Sequence, residues 1–196
     1  MKSFSTRTLC ALLLALSLLP LSTLRAATGE LPGDSLYRLP LDLVDQDGRA
    51  FALGARRGTP QLVTMFYTSC PYVCPLVIDT LKKTQAELAP EERAKLQVLL
   101  VSFDPERDSV ERLKEVFDQR KIDAATWTLA RTPAPSVRKL AAVLGIQYRA
   151  LANREINHST ALVLLDPDGR AIARTEQIGA VDPEFVAALK RALTAR

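Results

Sequence analysis

The sequence predicts a three-layer α/β domain that opens with a β-hairpin, and three observations carry that expectation. Residues 61–67 and 96–103 are nearly continuous apolar runs, the pattern of strands buried on both faces. Amphipathic segments with apolar residues at helical spacing alternate with these runs. Turn signals at Asp47-Gly48 and at Asp166-Pro167-Asp168-Gly169 mark hairpins near the two ends. The composition agrees: 196 residues with 12 Pro, 8 Gly, 47% hydrophobic and 24% charged residues exclude collagen-like and disordered chains. A chain of this length buries roughly 70% of its unfolded surface in one core.

Each element has its own local reason. Residues 37–44 and 49–53 flank the Asp47-Gly48 turn. After the strand at 61–67, residues 75–88 place Leu76, Leu81 and Leu88 among apolar positions of a helix. Residues 109–120 follow the second buried strand and carry Val110, Leu113, Val116 and Phe117 on one face, with Asp108 or Ser109 as the cap. A short strand at 126–130 precedes a helix at 135–144 that Gly145 ends. Strands at 161–165 and 171–177 join through the Asp166–Gly169 turn, and an amphipathic helix at 183–193 closes the chain. The order β-α-β-α, then β-β-α, is that of a thioredoxin-like fold. The expectation is therefore a thioredoxin-like α/β/α domain over residues 36–196, preceded by a flexible lead-in at 27–35.

The N-terminus accounts for most of the net charge of +4. Residues 1–27 contain Lys2, Arg7 and Arg25 and no acid, which leaves 23 of the 26 basic residues against 22 acids in the remainder. A nucleic-acid function has no electrostatic support in so balanced a domain. Lys2 and Arg7 precede an uncharged apolar stretch at 8–24, followed by Arg25-Ala26-Ala27. A basic start, an apolar run and small residues are the pattern of a secretory signal peptide over 1–26. The same stretch sits at the lower limit for a membrane anchor. Either way the domain is expected outside the cytoplasm, in a periplasmic location, with or without inner-membrane anchoring.

Loss of Cys10 with the leader leaves one cysteine pair, Cys70 and Cys74, in a compartment that permits disulfides. A bridge between them closes so short a loop that it contributes only about 2 kcal/mol, a weak reason for a structural staple. The pair stands where a buried strand hands over to a helix. At i and i+4 the two cysteines share one helical face, with Cα atoms about 6 Å apart. A helix N-terminus favours the thiolate, the form that both attacks disulfides and binds metals. Spacing and placement suit both tasks. His158, the single histidine, precedes the strand at 161–165. In a thioredoxin-like fold the loop entering that strand faces the cysteine-bearing turn, so two sulfurs and one nitrogen can converge.

The pattern resembles the Sco/SenC family of copper chaperones over roughly residues 41–193. The resemblance rests on Tyr67-Thr68-Ser69-Cys70-Pro71-Tyr72-Val73-Cys74-Pro75, on Ser102-Phe103-Asp104-Pro105-Glu106-Arg107-Asp108, and on His158-Ser159 followed by Leu165-Asp166-Pro167-Asp168-Gly169. Asn157 departs from it, standing where many members carry an acid. The resemblance implies that Cys70, Cys74 and His158 bind one copper ion, Cu(I) or Cu(II). It also implies delivery of copper to, or reduction of, the CuA-site cysteines of cytochrome c oxidase subunit II, or service to another exported copper or thiol protein.

Ligand chemistry points the same way. Two thiolates and an imidazole suit Cu(I) in a three-coordinate site. Structural zinc wants four protein ligands and iron–sulfur clusters usually four cysteines. The competing class is a thiol-disulfide reductase acting through Cys70 and Cys74, which does not need His158. A peroxidase is disfavoured because Tyr67 and Pro71 occupy the positions three residues before the two cysteines, where that chemistry wants Thr.

Overall fold

The computed structural model describes residues 29–70, 73–152 and 155–194, and for residues 73 and 74 the backbone alone. A seven-stranded sheet runs in the order β2-β1-β5-β4-β3-β8-β9. Its strands are β1 (Asp42–Asp45), β2 (Ala50–Ala52), β3 (Gln61–Phe66), β4 (Gln97–Ser102), β5 (Trp127–Arg131), β8 (Leu162–Leu165) and β9 (Ala171–Thr175). A separate two-stranded sheet pairs β6 (Tyr148–Ala150) with β7 (Ile156–His158). The helices are α1 (Val73–Ala86), α2 (Pro90–Arg93), α3 (Val110–Gln119), α4 (Ala134–Val143) and α5 (Pro183–Thr194).

The centre of the sheet is what the two apolar runs predict. β3 pairs parallel with β4, and β4 parallel with β5, while β8 joins the other edge of β3 antiparallel. Every residue of β3 and β8 is buried, so helices and loops cover both faces of the sheet there. Leu62, Phe66, Leu99, Leu100 and Leu164 are at most 1% exposed. Such side chains each contribute about 1.5–3 kcal/mol by leaving water.

Both sequence turns form as expected. The hairpin of β1 and β2 folds around Asp45, whose carboxylate accepts the Asp47 and Arg49 N–H groups. At the other end, Asp166 accepts from Asp168 and Arg170 N–H. That second turn fits only glycine at its corner. Gly169 has φ +84°, and a Cβ there would stand 2.5 Å from the Tyr37 ring and 2.8 Å from Ser35 Oγ. Gly169→Ala is therefore expected to destabilise the fold by more than about 1 kcal/mol, measured as a lower urea midpoint.

Two local expectations change, and a choice left open between two residues is resolved. The start of the 37–44 run is a 3-10 turn over Leu36–Arg38, because the Ser35 hydroxyl accepts the Tyr37 N–H and caps it. Of the two expected candidates, Ser109 caps α3, accepting the Arg112 N–H. Tyr148–Ala150 and Ile156–His158, to which the sequence assigns no element, pair as β6 and β7, so His158 ends a strand instead of lying in a loop. No described helix is long and apolar enough to cross a membrane. The expected leader or anchor lies outside the described residues.

Candidate metal centre

The centre is built at the C-terminal ends of the parallel strands. β3 and β4 stay paired to their last residues, Phe66 opposite Ser102. One further hydrogen bond, from Phe103 N–H to Phe66 C=O at 2.7 Å, carries the pairing beyond the strands. The chain after β3 then turns through Tyr67-Thr68-Ser69-Cys70 toward α1. Cys70 is buried at 8% exposure, and its N–H donates to Tyr67 C=O at 3.3 Å, closing a tight turn. Cys70 thus stands in the turn before the helix and does not share a helical face with Cys74. Cys74 lies in the first turn of α1, which starts two residues earlier than the sequence predicts. Arg120, just past α3, holds that turn: its guanidinium donates to Pro75 C=O at 3.0 Å and pairs with Asp79.

His158 approaches from the β6–β7 hairpin and meets the cysteine turn at Tyr67. The Tyr67 ring stands edge-on to the imidazole, centroids 5.9 Å apart. Phe103 packs on the imidazole at 4.8 Å and also on Tyr148 at 5.2 Å. Thus both motif loops, residues 67–70 and 103–108, contribute an aromatic ring to the histidine. The Tyr67 hydroxyl oxygen also lies 3.5 Å from the Ile156 N–H, on the histidine's own strand. Partly exposed, His158 opens onto a groove formed with Tyr148, Arg149 and Asn157.

The imidazole is oriented by its neighbour. His158 Nδ1 lies 3.0 Å from Ser159 C=O. A carbonyl oxygen only accepts, so Nδ1 carries the proton and the lone pair sits on Nε2. An Nδ1–H held by a backbone carbonyl is the arrangement that fixes a ligating histidine in other metal sites. Cys70 and His158 are the described donors of the expected set.

Asp108 is the residue whose part the sequence did not disclose. It is an acid with no exposed surface, and three donors converge on its carboxylate. The Thr68 N–H reaches both oxygens, at 3.1 and 3.2 Å, and the Thr68 and Ser102 hydroxyls donate one bond each. Burial pushes its carboxyl above the ordinary carboxylate range, and the bonds from Ser102 and Thr68 pull the other way.

The sequence profile of the SCO1/SenC family matches residues 30–194. A protein of Stutzerimonas stutzeri named "Putative copper-binding protein" is 28% identical over 133 residues, which are 66% of this chain and 64% of that one. The mitochondrial SCO2 protein of Saccharomyces cerevisiae is 28% identical over 136 residues, 68% of this chain and 45% of that one. The chain thus spans about half to two thirds of the length of these relatives. Among solved structures, ScoI of Bradyrhizobium japonicum with copper bound superposes with a TM-score of 0.63 at 24% identity, covering 78% of this chain and 97% of that one. That likeness is one of fold, and it bears out the thioredoxin-like α/β expectation.

Proposed function

Because this chain belongs to the SCO1/SenC family, we propose that it is an exported copper-binding metallochaperone that holds one copper ion between Cys70, Cys74 and His158. The recipient is the CuA site of cytochrome c oxidase subunit II or another exported copper or thiol protein. Residues 1–26 act as its signal peptide or membrane anchor. The observation that carries the reading is the meeting of the cysteine turn with His158 at Tyr67, with the Nε2 lone pair left for a metal. Two thiolates and one imidazole are a soft to borderline set, suited to Cu(I). A three-ligand site also leaves a position where an incoming thiolate can bind before the donor ligands leave. Copper supplies no chemistry to this chain; it is the cargo.

The test is metal analysis of the reduced full chain after exposure to Cu(I), Cu(II) and Zn(II). One copper per chain is expected, and Cys70→Ser, Cys74→Ser and His158→Ala each weaken binding at least tenfold. Undiminished copper binding by the variant lacking both cysteines would end this reading. The placement of Cys74 in the first turn of α1, where a thiolate is favoured, with Cys70 in the turn before it, supports thiol-disulfide reduction as the second reading. His158→Ala separates the two, since it removes a metal ligand and leaves sulfur exchange in place.

A further inference from the structure

We infer that Asp108 is a positioning residue of the copper centre: through Thr68 it locks the cysteine turn onto the 103–108 loop and so sets where the Cys70 sulfur stands. This inference rests on the copper reading above. The last backbone hydrogen bond between the ends of β3 and β4 runs from Phe103 N–H to Phe66 C=O, and Thr68 and the 104–108 loop lie beyond it. Asp108 joins the two segments there, bound to Ser102 on one side and to both polar groups of Thr68 on the other. The carboxylate is itself held from behind. Its own N–H donates to Asp104 C=O at 2.8 Å, Asp104 N–H donates to Ser102 Oγ at 2.9 Å, and Arg107 pairs with Asp104.

The chemistry of the latch is informative. Burying a carboxylate costs several kcal/mol unless it is well hydrogen-bonded, and an apolar residue would fill the same space without that cost. Asp108 is not needed as a helix cap, because Ser109 performs that task. What the carboxylate adds is direction. Its bond to the Thr68 N–H orients the peptide between Tyr67 and Thr68, two residues before Cys70. That same peptide follows Tyr67, whose ring packs against His158. One buried acid therefore governs the relative placement of a sulfur and a nitrogen donor. Groups that orient metal ligands without touching the metal typically affect affinity by roughly 10–100-fold.

The experiment compares the reduced full chain as wild type, Asp108→Asn, Thr68→Val, Thr68→Ser, Cys70→Ser and Gly169→Ala. Cu(I) affinity is read by competition with a chromophoric chelator, the Cu(II)–thiolate absorption band by spectroscopy, and stability by urea. Asp108→Asn is expected to weaken Cu(I) roughly 10–100-fold and to shift the band. Thr68→Val, which keeps the backbone N–H but loses the hydroxyl, moves both in the same direction, and Thr68→Ser restores them. Gly169→Ala, at the opposite end of the strands, lowers stability while leaving affinity and band at wild-type values. If Asp108→Asn does not fold, the Thr68→Val and Thr68→Ser pair decides the matter. Wild-type affinity and an unshifted band in Asp108→Asn, or in Thr68→Val, overturn the positioning role while the copper reading stands. Wild-type copper binding by Cys70→Ser would instead remove the reading on which the inference rests.

Discussion

Oxidation of Cys70 and Cys74 to a disulfide is expected to abolish Cu(I) uptake while leaving the domain folded. Both thiolates are consumed by the bond, and a disulfide sulfur has no charge left to hold the metal. The fold is expected to survive because its core does not depend on the pair. The closed loop is short, so the chain-entropy contribution is about 2 kcal/mol or less. Structural change stays within residues 66–75, since Thr68 is tied to Asp108 on one side and α1 is tied to Arg120 on the other. Thermal melting and copper titration of one preparation, with and without reductant, check this. Uptake of a full Cu(I) equivalent by the oxidised chain would show that the two sulfurs are not the principal ligands. Unfolding on reduction would show that the pair is a structural staple.

Truncation of Phe66 is the second large effect. Phe66 is the last residue of β3, 1% exposed, and sits where strand pairing ends and the cysteine turn begins. Removing a buried ring leaves a cavity that a close-packed interior fills only in part. Phe66→Ala is expected to cost about 3–5 kcal/mol. Against a typical total of about 5–15 kcal/mol, that is a substantial share of the stability. Urea unfolding should show a lower midpoint at unchanged slope. A loss under about 1 kcal/mol would contradict the packing described for the end of β3.

These two effects differ in how much of their basis is local. The position of Phe66 follows from an apolar run that only a doubly covered strand tolerates, and the neighbouring element types follow from periodicity in the same way. The candidate donors were also legible, because beyond residue 26 the chain holds only two cysteines and one histidine. Their types and spacing bound the chemistry before any packing is known.

Other features answer to residues far away along the chain. β6 and β7 are three residues each, too short for alternation to mark them, so the strand at His158 exists only through its pairing with Tyr148–Ala150. Asp108 and Ser109 were equally suited to cap α3 by type and position. The choice between them was made by Thr68, forty residues earlier, and by Ser102, which bring donors to one of the two. By itself, then, the sequence determined the central strands, the hairpin turns and the soft donor set, because periodicity, turn chemistry and ligand type are properties of neighbouring residues. Only the tertiary structure decided that a buried acid would hold the cysteine turn and that His158 would meet it at Tyr67, because a hydrogen-bond partner is chosen by proximity in space.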